Sequence, residues 1–287
     1  MSIYRSEAGK QALASVYTDA INQLEIDVET RQIETRFGST HVLVAGPENG
    51  KPVVIFHGGN ATNPVTLSWY TDLASDYRLI APDTIGQPGK SAETRVDPQS
   101  DELGTWVGDL LDAFELQSAP MIGTSYGGGI LLRAAAVAPD RIHRAVLVVP
   151  AGFGTGSIVS MMKVGLPAVL YRYFPYDWLL DYVIATMTTT PGSDPIVRDT
   201  IAASLRHVRL EREFPEAHAE ELAGFTAPVA LFVAEEDPFF PPDMVLPCAR
   251  ARLPNLSHTQ VLRDENHMLS PAAQKIVTAF SREFFSE

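Results

Sequence analysis

The sequence predicts an α/β fold with a mostly parallel central sheet, and three observations carry that prediction. Short, nearly continuous runs of Val, Ile and Leu recur along the chain, as in strands buried on both faces. Stretches with helical spacing separate the runs, an alternation that builds parallel sheets covered by helices. The chain has 287 residues, 45% hydrophobic and 20% charged, which suits one large core better than several small ones.

Taken in order, residues 6–24 open with Ser-Glu and space Leu13, Val16, Tyr17, Ala20 and Leu24 as a helix does. IDVETRQIETRF and THVLVAG then alternate in the manner of antiparallel strands at a sheet edge. The buried runs follow: PVVIFHGG, YRLIAPD, PMIGTS, RAVLVVPA, PVALFVAEED and TQVLRDENH. Between the fourth and fifth runs, over residues 152–224, the alternation stops. This stretch holds LPAVLYRYFPYDWLLDYVIATM, the most aromatic segment of the chain, and is too long for a structureless loop. It is expected to be a helical cap inserted into a core of residues 1–151 and 225–287. Its apolar side chains include Met161, Met162, Leu166, Leu170, Phe174, Trp178 and Met187. More than half of these are expected to pack on the core and the rest to line a substrate pocket.

Composition narrows the function. A net charge of −13 argues against nucleic acid and anionic membranes as partners. The single cysteine, Cys248, leaves no intramolecular disulfide and no cysteine-rich metal site. Its surroundings, LPCARARL, read as a helix with a packed thiol. No run approaches the ~18 apolar residues of a membrane span, and MSIYRSEAGKQ lacks the pattern of a signal peptide. A soluble, cytoplasmic protein is expected.

The chemistry is expected at GTSYG, Gly123–Gly127, where an apolar strand meets a helix. A G-x-S-x-G turn at that junction lifts Ser125 above the sheet in a strained conformation. Gly123 and Gly127 keep side chains out of the turn, and Gly128 and Gly129 let the next helix approach neighbouring strands. The helix N-terminus adds free N–H groups and partial positive charge. Serine needs a base to attack at neutral pH, and the base needs an orienting acid. In this architecture the order is serine, acid, histidine. Of the histidines after Ser125, His143 begins a strand, His207 and His218 lie among charges, and His258 starts the last strand run. His267, in RDENHML, follows that run and is the expected base. Of Glu235, Glu236 and Asp237, the expected acid is Asp237, the last polar residue before PFFPP, with Glu236 behind it.

A tetrahedral intermediate needs donors for its oxyanion. VVIFHGGN ends a central strand in a glycine-rich turn, which makes Gly59 N–H and Tyr126 N–H the expected pair, with Asn60 a helper. His57 reads as a residue that fixes this loop. GQPGKSA imitates a phosphate-binding loop, but the pattern requires glycine where Thr84 stands.

Together HGG, APDTIGQPGKS, GTSYGGG, EEDPFFPP and ENHML resemble, in order and position, the motifs of the α/β-hydrolase family. TRFGSTHVLVAGPENGKPVVIFHGG is similar to the bacterial carboxylesterases of the naproxen-esterase type. The resemblance implies cofactor-free hydrolysis of a small-molecule carboxylic ester through an acyl-enzyme. The family commonly places glycine before the histidine, where this chain has Asn266, a residue that tolerates left-handed geometry. Carbon–carbon bond hydrolysis, cofactor-free perhydrolysis and a hydrolase-shaped binding protein use the same fold and stay open. A dehalogenase would need aspartate at position 125.

Overall fold

A computed structural model describes residues 2–192 and 194–286. The chain begins with α1 (Glu7–Asn22), capped by the Ser6 hydroxyl, which accepts the Gly9 N–H. Strands β1 (Val28–Thr35) and β2 (Gly38–Ala45) form an antiparallel hairpin at one edge. Then come β3 (Lys51–Phe56), the short helix α2 (Asn63–Leu67), a 3-10 turn (Ser68–Ser75) and β4 (Tyr77–Pro82). The alternation continues through α3 (Glu102–Ala113), β5 (Ala119–Thr124), α4 (Tyr126–Val137) and β6 (Ile142–Val148). Three helices follow without a strand: α5 (Ile158–Tyr173), α6 (Asp177–Met187) and α7 (Pro195–His207). The chain closes with β7 (Val229–Ala234), α8 (Pro242–Arg252), β8 (Leu256–Leu262) and α9 (Pro271–Ser286).

The strands lie in the order β1-β2-β4-β3-β5-β6-β7-β8. β2 is antiparallel to both neighbours, and β4 through β8 are parallel. The predicted strand runs therefore all appear, in the predicted sense. β8 differs in burial: its side chains alternate because it is the outer strand. Apolar layers cover both sheet faces. One is built on Phe56, Trp106, Ile130 and Leu147, the other on Ile55, Tyr70, Val146 and Phe232. Cys248 lies in α8 and packs against the first layer.

Winding reverses at β3. The chain passes to β4 on one side, then returns to β5 on the other. The carboxyl ends of β3 and β5 thus open beside each other, leaving the crevice in which such sheets hold ligands.

The helices α5 and α6 pack mainly on each other, while α7 touches both and packs most extensively on α1. They are tied back to the chain's beginning: Arg5 N–H donates to His207 O at 2.8 Å and Arg209 N–H to Ile3 O at 2.7 Å. The expected packing of their apolar side chains is corrected here. Met162, Leu166, Leu170, Phe174 and Trp178 are exposed. The buried positions of α5 are Val164, Ala168 and Tyr171, so its contact falls on a different stripe from these large side chains.

Candidate active site

The backbone at Ser125 has φ 54° and ψ −120°, a conformation that costs an L-residue energy and persists only where surroundings enforce it. They do so through close approach. A Cβ on Gly123 would sit 2.5 Å from Gly127 O, and one on Gly127 would sit 2.2 Å from Phe56 O. Gly128 meets Pro150 just beyond β6 as expected, but Gly129 meets Pro215 of the chain after α7 rather than a strand. The Ser125 N–H donates to Val148 O, fixing the turn to the next strand.

Ser125 Oγ lies 3.0 Å from His267 Nε2, and His267 Nδ1 lies 2.8 Å from Asp237 Oδ2. Asp237 Oδ1 accepts the N–H groups of Phe239 and Phe240 at 2.8 and 3.1 Å. The carboxylate is buried and its second oxygen is left to the imidazole, so Nδ1 carries the proton and Nε2 faces the hydroxyl as an acceptor. The rings of Phe239 and Phe240 flank the imidazole, with centroids 4.9 and 5.6 Å away. Glu235 and Glu236 are exposed, and Glu235 accepts the Asp264 N–H. The histidine loop needs no left-handed backbone at Asn266. Positive φ falls on Asp264 instead, and Asn266 N–H donates to Thr189 Oγ1.

The other histidines lie elsewhere. His258 stacks on Phe280 in β8, and His143 and His218 are exposed. His207 packs against Gly9, and partial burial beside Arg206 lowers its pKa. His57 is fully buried. Its Nε2 accepts the Thr84 N–H at 2.9 Å, and its Nδ1 donates to Gly58 O at 2.8 Å. Burial pushes its pKa below the ordinary value, so it is a neutral strut between two loops, as the sequence suggested.

The loop after β3 places Gly58 against Ser125 and Gly59 against the Tyr126 ring. The N–H groups of Gly59 and Tyr126 have no hydrogen-bond partner among the described residues. The expectation that Asn60 assists them finds no support in the geometry. Its side chain is committed to the backbone of Glu211, donating to the carbonyl at 2.9 Å and accepting the N–H at 2.7 Å. Its own N–H donates to Gln87 Oε1 at 2.8 Å. The pKa of the nearby Tyr126 phenol is raised, chiefly by burial and next by the Glu211 carboxylate. The GQPGKSA segment that resembles a phosphate loop therefore supports the loop after β3.

Ser125 and His267 open onto a cavity of about 340 Å³. Gly58, Gly59, Trp69 and Met268 line it from the core, and Met161, Val164, Met187, Val197 and Ile201 from the helices that follow β6. Its surface is overwhelmingly apolar, as ligand pockets generally are. Among the described residues no group of three or more His, Cys, Asp or Glu side chains is placed to hold a metal. No helix among them is long and apolar enough to cross a membrane.

A strained serine on a strand-to-helix turn, beside a histidine and aspartate from later strand ends of a mostly parallel sheet, defines the class. The chain has the α/β-hydrolase fold, and the family described as alpha/beta hydrolase fold matches residues 51–189. The chain is similar to two proteins of Bacillus subtilis. Carboxylesterase YbfK is 24% identical over 265 residues, covering 88% of this chain and 86% of that protein. The uncharacterized carboxylesterase nap is 25% identical over 280 residues, covering 94% and 91%. The crystal structure of naproxen esterase from B. subtilis superposes with a TM-score of 0.85 at 23% identity, over 98% of this chain and 99% of that one.

Proposed function

We propose that the protein is a serine carboxylesterase that cleaves uncharged, moderately hydrophobic carboxylic esters through an acyl-enzyme. The observation that carries this reading is the hydrogen-bonded chain Ser125–His267–Asp237 opening onto an apolar cavity. The similarity of nearly the whole chain to two carboxylesterases supports it.

In this mechanism Ser125 Oγ attacks the ester carbonyl while His267 Nε2 takes its proton. Asp237 Oδ2 holds the imidazole in the tautomer that accepts at Nε2, then stabilises the imidazolium. The carbonyl oxygen becomes an oxyanion received by the Gly59 and Tyr126 N–H groups. Being free in the ground state, these donors are available where charge develops. The α4 N-terminus adds partial positive charge at that point. His267 protonates the departing alkoxide, and the alcohol leaves. Water, deprotonated by His267, attacks the acyl-enzyme and releases the acid with Ser125 restored.

Residues 152–224 act in this reading as a cap that roofs the site. Support comes from the cavity wall, to which α5, α6 and α7 each contribute apolar side chains. A steric consequence follows. Each acyl methylene accommodated contributes about 0.8 kcal/mol, so kcat/KM on nitrophenyl acetate through dodecanoate should climb and then fall when the cavity is full. Ala168→Trp, which places bulk in the α5 wall, should move the optimum to shorter chains. A flat profile, indifferent to that change, would refute the cap.

A further inference from the structure

Five hydroxyl side chains line the cavity, and three are engaged. Ser125 bonds His267, Thr124 bonds the Tyr70 phenol, and Thr66 accepts the Gly58 N–H. The other two, Thr200 and Ser204, are 1% and 3% exposed, and neither oxygen has a partner among the described residues. Buried hydroxyls are nearly always hydrogen-bonded, and one left alone weakens the fold. In a helix the usual remedy is a bond back to the carbonyl four residues earlier. Neither residue makes it.

The two stand one helical turn apart on α7, within the stripe Val197, Thr200, Ile201, Ser204 and Leu205 that lines the cavity. The helix is held in this orientation. Asp194 caps its start, Arg198 pairs with Asp177 and Asp181, and its end is tied to residues 3 and 5. On the side that carries Thr200 it also meets α1, where a Cβ on Gly9 would collide with His207. Two adjacent hydroxyls thus stand unpartnered in the cavity-lining stripe of α7, whose other members are apolar.

We propose that Thr200 and Ser204 form a polar subsite that binds an uncharged acceptor oxygen, an ether or carbonyl, carried by the ester away from its scissile carbonyl. This rests on the esterase reading and narrows its substrate class. The oxygen is uncharged because this stripe carries no cation, and a buried anion facing hydroxyls alone would lose most of its solvation. Each hydroxyl can turn its hydrogen toward an acceptor or offer a lone pair, so one oxygen can receive both donors.

The test compares nitrophenyl octanoate with isomers in which one acyl methylene is replaced by oxygen, moved stepwise along the chain. The wild type should favour one oxa-isomer over its neighbours. In Thr200→Val and in Ser204→Ala, kcat/KM for that isomer relative to octanoate should fall about tenfold. Thr200→Ser, which keeps the hydroxyl, should restore the ratio. Ratios within twofold of wild type for every isomer, in an enzyme that turns over octanoate, would overturn the subsite and leave the esterase reading standing. No turnover of any ester would overturn that reading, and the subsite with it.

Discussion

Asn60 and Glu211 exchange two hydrogen bonds, side-chain amide to main-chain peptide, at 2.9 and 2.7 Å. The loop carrying the proposed oxyanion donor Gly59 is thereby fastened to the chain that leaves α7. Asn60 has φ 56°, so substitutions must be chosen with that in mind. Asn60→Gly keeps the backbone conformation and removes both bonds, and should lower kcat about tenfold with little change in KM. Removing an oxyanion donor outright costs 10²–10³-fold, and a displaced one should cost less. Asn60→Ala should show the same kinetic loss and be about 1 kcal/mol less stable than Asn60→Gly. Steady-state kinetics and thermal melts check both.

Ser125 should be the site of covalent labelling by a fluorophosphonate. Mass spectrometry of the digested adduct should find it there alone. Ser125→Ala should retain the fold and lose about three or more orders of magnitude in turnover. Stoichiometric labelling of that variant would point to another nucleophile.

Asp237 and Glu236 separate cleanly in the structure, one buried against the imidazole and the other exposed. Asp237→Asn preserves an acceptor for the Phe239 and Phe240 N–H groups but disfavours the productive tautomer. Turnover should drop by about 10⁴. Glu236→Gln should stay within a few-fold. The opposite outcome would move the acid by one position.

His57 makes a prediction about stability rather than rate. Burial lowers its folded-state pKa below the value of 6.5 expected in the unfolded chain. Above pH ~6.5 both states leave it neutral and its contribution is complete. Below that pH the unfolded chain takes up a proton that the folded protein refuses, so stability falls with pH. The slope approaches about 1.4 kcal/mol per pH unit for this one group. Denaturant midpoints between pH 7.5 and 5.5 should therefore fall more steeply in the wild type than in His57→Gln. Parallel slopes would mean that His57 takes up its proton equally in both states.

Much of this arrangement is legible in the sequence because strand ends are. Ser125, Asp237 and His267 each follow a strand run, and parallel strands deliver the polar residues beyond their ends to the same sheet edge. The choice of Asp237 over Glu236 rested on the turn that follows, and the phenylalanine N–H groups on its carboxylate explain why that turn holds it. Contacts between irregular segments were not legible. Asn60 with Glu211, and Gln87 with Asn60, join stretches that have no periodicity. The outward face of α5 was misjudged for a related reason: apolar content does not say which side of a helix meets its neighbour, and here Val164 and Ala168 made the contact.

The pairing of residues 3 and 5 with residues 207 and 209 sets the order in which the site can mature. During synthesis the first of these segments leaves the ribosome long before the second exists. The wall formed by α7 cannot lock until both ends meet, a long-range closure of the kind that slows folding. The turn at Ser125, by contrast, draws chiefly on Phe56 and Val148, both made before α7. A nascent chain would hold a formed elbow before it holds a finished pocket. His267 is made later than residue 209, so the wall can close before the proposed base arrives, and selectivity would precede reactivity.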